Sequence, residues 1–441
     1  MRRYSSFLEM LKNQKKDSIA LSFADGDSLK HLTYSELILK INETPVSKCE
    51  SVGIICENNL QTILAIFANA QAKKQVVLLN PKDPLDVLTN QIKSADIEEL
   101  VGNEELVNQL SSSISFKNKE VIHGSIIFFT SGTTSSNKGV VLTEESLCAS
   151  AYNGSACLPL NENDTLLSLL PLSHVFGFVC SLLWGLSCGA NVALTRGVRH
   201  LFDDGSFFEA TVISLVPQIA TFMAMNKMFN PSLRLVLIGA GPCPKNILNL
   251  IKSQGIQVSF GYGLTETSSG VALSIGEDPE AMTICPDDKV SIAPDGEILL
   301  DAPTCIMKGY YKNKDATNEV LIDNVLHTGD LGRIDENGLL HVTGRKKDIL
   351  VLNNGTKIFC PEYENELKQY LPKNDFAITL IDDLLYLFVQ GNNSKEIEES
   401  IKTFNLSKPH GQRIAKIKYV TNDLPRTQTG KIKRWALANL I

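Results

Sequence analysis

Short apolar runs alternate with helix-like stretches along the first two-thirds of this chain. SVGIIC, LQTILAIFANAQA, QVVLLN, PLDVLTNQIKSA and GSIIFF follow one another between residues 51 and 129. Strand and helix taking turns in this way is the mark of a parallel sheet covered by helices. The pattern continues through TLLSLLPL, NVALT, TVISLVP, LRLVLIGA and QVSFGYG, which predicts an α/β core. FDDGS, at 202 to 206, reads as a loop before the strand TVISLVP. From about Val290 the texture changes to short strands and turn residues (DGEILL, DENGLLHV), predicting a small β-rich subdomain on the same core. Past Gly344, RKKDILVLNNGTKIFCPEYENELKQYL reads as a charged hinge, a strand, an Asn-Gly turn, a second strand and a Pro-started helix. A hairpin (DFAITLIDDLLYLFVQ), a helix (SKEIEESIKTF) and a last strand (IAKIKYV) follow. At 441 residues the chain exceeds one ordinary core, so two bodies are expected: a large one over 1–344 and a small, mobile α+β domain over 345–441.

One segment departs from this alternation. The apolar run Ser125 to Phe129 ends in Thr130, Ser131, Gly132, Thr133 and Thr134, followed by Ser135, Ser136, Asn137, Lys138 and Gly139, before VVL resumes. Small hydroxyl residues and glycine let backbone N–H groups turn toward an anion, and Lys138 supplies a point charge for phosphoryl oxygens. The alternative reading of the segment alone, the less favoured one, is a polar hairpin between two strands. It is not a Walker A loop, which needs Gly directly before the Lys where this chain has Asn137.

Charge and cysteine usage exclude several classes. A net charge of −7 argues against a nucleic-acid binder. The ten cysteines include no C-x-x-C pair and no Cys/His cluster at zinc spacing, predicting reduced thiols, no structural metal and a cytoplasmic location. The N-terminus is basic but lacks the apolar segment of a secretory signal. Thr165 to Thr195 contains no Asp, Glu, Lys or Arg, yet Pro171, His174, Gly177, Gly185 and Asn191 interrupt it. A buried strand, loop and helix fit that stretch better than a membrane span.

Besides TSGTTSSNKG, the chain carries GYGLTE (261–266), HTGD (327–330), GRKKD (344–348) and PRTQTGKIKR (425–434), in that order. The weaker patterns LTYSEL (32–37) and GEILLDAPTCIMKGYYKN (296–313) extend the set. Singly, each reads as a turn or a solvated charge run. Together they resemble the adenylate-forming superfamily of acyl-CoA synthetases, peptide-synthetase adenylation domains and luciferases. The resemblance implies ATP and Mg²⁺ as cofactors, with Thr130, Ser131, Thr133, Thr134 and Lys138 around the departing pyrophosphate. It makes Glu266 the Mg²⁺ carboxylate and, with Thr265, part of the catalytic set, and gives Asp330 the ribose hydroxyls. Tyr262 and Gly263, with the backbone edge Gly239-Ala240-Gly241, would receive adenine, and Arg345 the ribose and phosphate region. Lys431 is implied as the catalytic lysine that stabilises charge during adenylation, and Lys347 as the hinge. Ser135 stands where the family has Gly and Asn137 where it has Pro, which implies a looser pyrophosphate loop.

PLSHVFGF (171–178) resembles the family's acid-binding motif, with His174 as one polar handle beside Phe176 and Gly177. Amino-acid-activating relatives carry an Asp there for the ammonium group, so an uncharged acyl chain, a medium- or long-chain fatty acid, is the expectation. The thiol is that of coenzyme A or of a carrier protein's phosphopantetheine. Lys408 to Arg434 holds eight Lys and Arg against one Asp, a basic segment suited to either. The competing readings are a non-catalytic binder of nucleotide or acyl-AMP and, resting on 165–195 alone, a membrane acyl transporter.

Overall fold

The computed structural model describes every residue except 1–2, 27, 115–119, 131–137, 242, 277, 354–355, 427–431 and 441, and the side chain of 198. Two sheets carry the large body. The first has six strands in the order Gly309–Tyr310, Gly139–Thr143, Ser125–Phe129, Gln75–Leu79, Ser51–Ile55, Glu99–Val101. Its last four run parallel, and Ser51–Ile55 and Gln75–Leu79 are buried at every residue. Strands covered on both faces cannot alternate polar with apolar residues, which is why they appear as unbroken runs of Val, Ile and Leu.

The second sheet has nine strands in the order Thr283–Ile284, Ser269–Leu273, Gln257–Leu264, Leu235–Ile238, Val212–Leu215, Thr165–Ser168, Asn191–Leu194, Ile19–Asp25, Ser28–Thr33. From Gln257–Leu264 to Ile19–Asp25 neighbours are parallel. One hydrophobic core reaches both sheets, joining Ile126 and Phe128 of the first to Val192 and Leu194 of the second. Helices fill the space between. Phe7 stacks on Phe67 at 4.7 Å, and Phe178 sits 5.7 Å from both Phe7 and Phe128. The LTYSEL pattern has a local cause, because Thr33 and Glu36 form a reciprocal capping box that starts the helix Tyr34–Glu43.

The uncharged stretch folds as a strand (Thr165–Ser168), a helical segment and a strand (Asn191–Leu194). Within the helical segment, the α-turn Val175–Phe178 passes into a π-turn at Val179–Leu183 and back to α at Trp184–Ser187. Among the described residues no helix is long and apolar enough to cross a membrane. FDDGS is not a loop: it lies in the helix Leu201–Phe207, where buried Asp204 binds the backbone N–H and Nε of Arg196, both at 2.8 Å. Five residues with a low-propensity Gly among them become helical because that ion pair and the packing of Leu201 outweigh local preference.

Strands Lys289–Ile292, Glu297–Asp301, Val325–Ile334 and Leu340–Arg345 form the β-rich subdomain. Beyond it, the hairpin Ile349–Val351/Lys357–Phe359, the helices Cys360–Lys368 and Lys395–Leu406, and a three-stranded sheet (Phe376–Ile381, Leu384–Gln390, Lys416–Val420) enclose two cores made only of residues 350 to 437. At the junction the Phe359 ring lies against the backbone of Gly344, where a Cβ would overlap it.

Candidate active site

Parallel strands leave their loops at one edge of the sheet, and ligand sites in such folds open at the strands' C-terminal ends. Here Leu235–Ile238 and Gln257–Leu264 end beside a cavity of about 590 Å³. Its wall gathers Thr130, Lys138, His174, Phe176, Gly239, Ala240, Tyr262, Gly263, Thr265, Glu266, Arg345 and Lys347, drawn from four separate sequence motifs and the Gly239-Ala240 edge. Gly177 and Gly241 are not on that wall. Gly177 serves by size, since a Cβ there would overlap the Pro171 carbonyl oxygen. Ser131, Gly132, Thr133, Thr134 and Lys431 lie outside the described residues.

The strands flanking the phosphate segment pair antiparallel, Phe129 opposite Gly139, and the Thr130 N–H donates to the Lys138 carbonyl at 3.0 Å. The Lys138 ammonium stands 4.6 Å from the centre of the Tyr310 ring, and the Tyr310 hydroxyl donates to Glu266 Oε1 at 2.6 Å. Burial, then the Glu266 charge, pushes the Tyr310 phenol up, so it stays a donor. Tyr310 thus connects the cation of one motif to the carboxylate of another. The sequence carried a sign of it only in the aromatic pair of GYYKN.

Glu266 is aimed by an irregular turn. The pairing of Gln257–Leu264 with Ser269–Leu273 slips between Tyr262 and Gly263, a 3₁₀ turn covers Thr265–Thr267, and Ser268 and Ser269 take φ of 53° and 119°. Positive φ in a non-glycine residue is strained, and such strain gathers at working sites. Gly263 cannot carry a side chain, because a Cβ would overlap the Ser269 carbonyl oxygen. Ala240 also has positive φ, 66°, and Gly239 leaves the space that the Phe176 ring occupies.

Asp330 is 3% exposed and sits immediately behind the cavity wall at Thr328 and Gly329. Tyr262 Oη donates to its Oδ2 at 2.9 Å, and Arg345 Nε lies 2.6 Å from Oδ1. Burial and then Asp330 hold the Tyr262 phenol well above its ordinary range. For Arg345, burial opposes the charge and Asp330 more than offsets it. The expected adenine platform, ribose carboxylate and phosphate contact are thus one hydrogen-bonded unit. Lys346 is anchored to Asp295 and Glu297, at 2.6 and 2.7 Å, while Lys347 beside it faces the cavity.

Cys180, Leu237, Gly270 and Leu273 line both the cavity and a second one of about 20 Å³ behind it. Cys180 comes from the π-turn, which widens the helix toward the site, and its Sγ lies 3.3 Å from Ser269 Oγ. Burial holds the His174 imidazole below its usual range, so it is neutral at pH 7. None of the four wall residues was foreseen, because each reads as ordinary core. The basic segment 408–434 is less positive than its count: Lys408 pairs with Glu366, Arg426 with Asp375, and Arg434 with Glu364 and Asp348.

Known proteins were compared with this arrangement. A 2-succinylbenzoate–CoA ligase of Bacillus cytotoxicus is 29% identical over 438 residues, covering 90% of this chain and 89% of its own. One from Listeria innocua is 27% identical, covering 88% of each. Among solved structures, o-succinylbenzoate CoA synthetase of Bacillus subtilis, in complex with its acyl-adenylate intermediate, superposes with a TM-score of 0.82 at 22% identity, over 99% of this chain and 98% of that one. The anthranilate CoA ligase AuaEII with anthranoyl-AMP gives 0.81 at 19% identity, over 100% and 98%. The family model described as AMP-binding enzyme matches residues 8–311, well over half of the sequence, and the chain belongs to that family.

Proposed function

We propose that this protein is an ATP-dependent acid–thiol ligase that activates an aromatic carboxylic acid as its acyl-AMP and transfers the acyl group to coenzyme A. The observation that carries the reading is the Lys138–Tyr310–Glu266 cluster on the wall of a cavity also lined by the apolar Phe176, Leu237 and Leu273. An acid and ATP repel each other, so the reaction needs fixed positive charge and aligned groups. In the first step a carboxylate oxygen bonds to the α-phosphorus and the bond to pyrophosphate breaks. In the second the thiol sulfur bonds to the acyl carbon, AMP leaves and the thiol proton is released.

Lys138 faces the departing phosphates, and Asp330, with Tyr262 and Arg345, receives the nucleoside. Lys431 stabilises charge in the first step. Among the described residues no cluster of three His, Cys, Asp or Glu could hold a metal. A single carboxylate nevertheless fits Mg²⁺ delivered on ATP, because that ion keeps waters and phosphate oxygens as most of its ligands. Glu266 would hold it, and bound Mg²⁺ would offset phosphate charge. The body over 1–344 would bind nucleotide and acid, and that over 345–441 would turn about Lys347.

The fatty-acid expectation is set aside. The relatives that span most of this chain are named for an aromatic acid, and behind the acyl wall lies room for about one water. Coenzyme A replaces the open choice of thiol on the same names, and no observation favours a carrier protein. The test is acid-dependent exchange of pyrophosphate into ATP, followed by thioester formation with coenzyme A, across aromatic, fatty and amino acids. Exchange with aromatic acids is expected. Exchange with fatty acids alone, or with none, would sink the proposal.

A further inference from the structure

The cavity divides by charge. Among the described residues its Lys and Arg side chains are three, Lys138, Arg345 and Lys347, and the first two are engaged with Tyr310 and Asp330 of the nucleotide site. The wall shared with the smaller cavity is Cys180, Leu237, Gly270 and Leu273, with Phe176 beside it. The smaller cavity's lining includes no acidic or basic side chain, and its Trp184 Nε1 already donates to the Leu158 carbonyl at 3.2 Å. One polar atom there lacks a partner: the hydroxyl of Ser150, a residue 3% exposed. It is neutral.

The name 2-succinylbenzoate describes a molecule with two carboxylates. Whichever is adenylated, the other must enter the acyl end, where the described residues offer an isobutyl and thiol wall, a neutral imidazole and the hydroxyls of Ser150 and Ser269, the third cavity cation, Lys347, following Arg345 of the nucleotide site by two positions. Moving a carboxylate from water to such a wall without a cation is strongly unfavourable. We infer that the acid this enzyme takes carries a single carboxylate on an uncharged, ring-sized body, and that the relatives' dicarboxylic acid is excluded. The inference rests on the aromatic-acid reading above and sharpens it.

The test compares kcat/KM for pyrophosphate release with 2-succinylbenzoate and its two singly charged counterparts: 4-oxo-4-phenylbutanoate, lacking the ring carboxylate, and 2-butanoylbenzoate, lacking the chain carboxylate. At least one counterpart should exceed the dicarboxylate by about a hundredfold or more. Cys180→Arg, which puts a cation on the shared wall, should narrow that ratio, and the wild-type comparison decides the matter if this variant does not fold. Parity, or a preference for 2-succinylbenzoate, overturns the inference and leaves the ligase reading standing. No release with any of the three, nor with benzoate, overturns the aromatic-acid reading and this inference with it.

Discussion

Tyr310 is the residue on which two separately recognisable groups depend. Lys138 and Glu266 were legible because each sits in a motif whose chemistry explains it. Tyr310 was not, since it lies 44 positions from Glu266 and arrives through the pairing of Gly309–Tyr310 with Gly139–Thr143. A hydrogen bond to a charged group contributes about 1.5–3 kcal/mol. Tyr310→Phe should therefore raise the KM for Mg-ATP by roughly tenfold or more. Initial rates against Mg-ATP check this, and an unchanged KM would dismiss the link. A second buried acid shows itself by pH. Burial lifts Asp288 from 3.8 to about 7, opposed by its contact with the Cys305 thiol. Its protonated form is favoured by folding, so that contribution is complete below about pH 4 and is lost as pH rises through about 7. Asp288→Asn should flatten the fall in thermal midpoint between pH 5 and 8, raising the midpoint at pH 8 by a few degrees (about 2–4 °C per kcal/mol). Parallel wild-type and variant curves would contradict the assignment.

At the scale of elements, the alternating strands and helices of the core were readable because buried parallel strands write their burial as uninterrupted apolar runs. Irregular elements were not. The turn after Tyr262 combines a register slip, a 3₁₀ turn and two residues at positive φ, none of which has a period to detect. The π-turn that brings Cys180 to the cavity is silent for the same reason. Asp204 misled through composition: Asp, Asp and Gly together suggest a loop until the partner Arg196 is known. Gly263→Ala tests the turn directly. The added methyl group would push the Ser269 carbonyl away and swing Glu266, so adenylation should fall by about 10²-fold or more, as when other preorganised groups are lost. Far-ultraviolet circular dichroism should be retained. Full activity in that variant would show that the turn tolerates rearrangement.

The molecule as a whole has to serve two reactions at one carbonyl carbon. On the proposed assignment, Lys431 and the incoming thiol would compete for the space beside it, and the body over 345–441 would turn between steps. Lys431→Ala should cut acyl-AMP formation by about 10²-fold or more and largely spare thioester formation from supplied acyl-AMP. Equal loss in both half-reactions would refute the two-position account. Lys346 pairs with Asp295 and Glu297, an anchor that fits the proposed hinge at Lys347 next to it.

On the proposed two-position cycle, the contact between Phe359 and Gly344 would bear on turnover itself. A cyclic machine that must visit two postures per product is slowed by whichever posture is too comfortable, and each 1.4 kcal/mol of excess comfort lengthens the stay about tenfold. An aromatic ring against a bare backbone makes a shallow seat, and one methyl group on Gly344 makes it no seat at all. Gly344→Ala should empty this posture in favour of the other. Stopped-flow fluorescence of a reporter on the small body, followed through a single turnover, should show one dwell shortened and the other unchanged. Two unaltered dwells would mean that Phe359 plays no part in the rhythm.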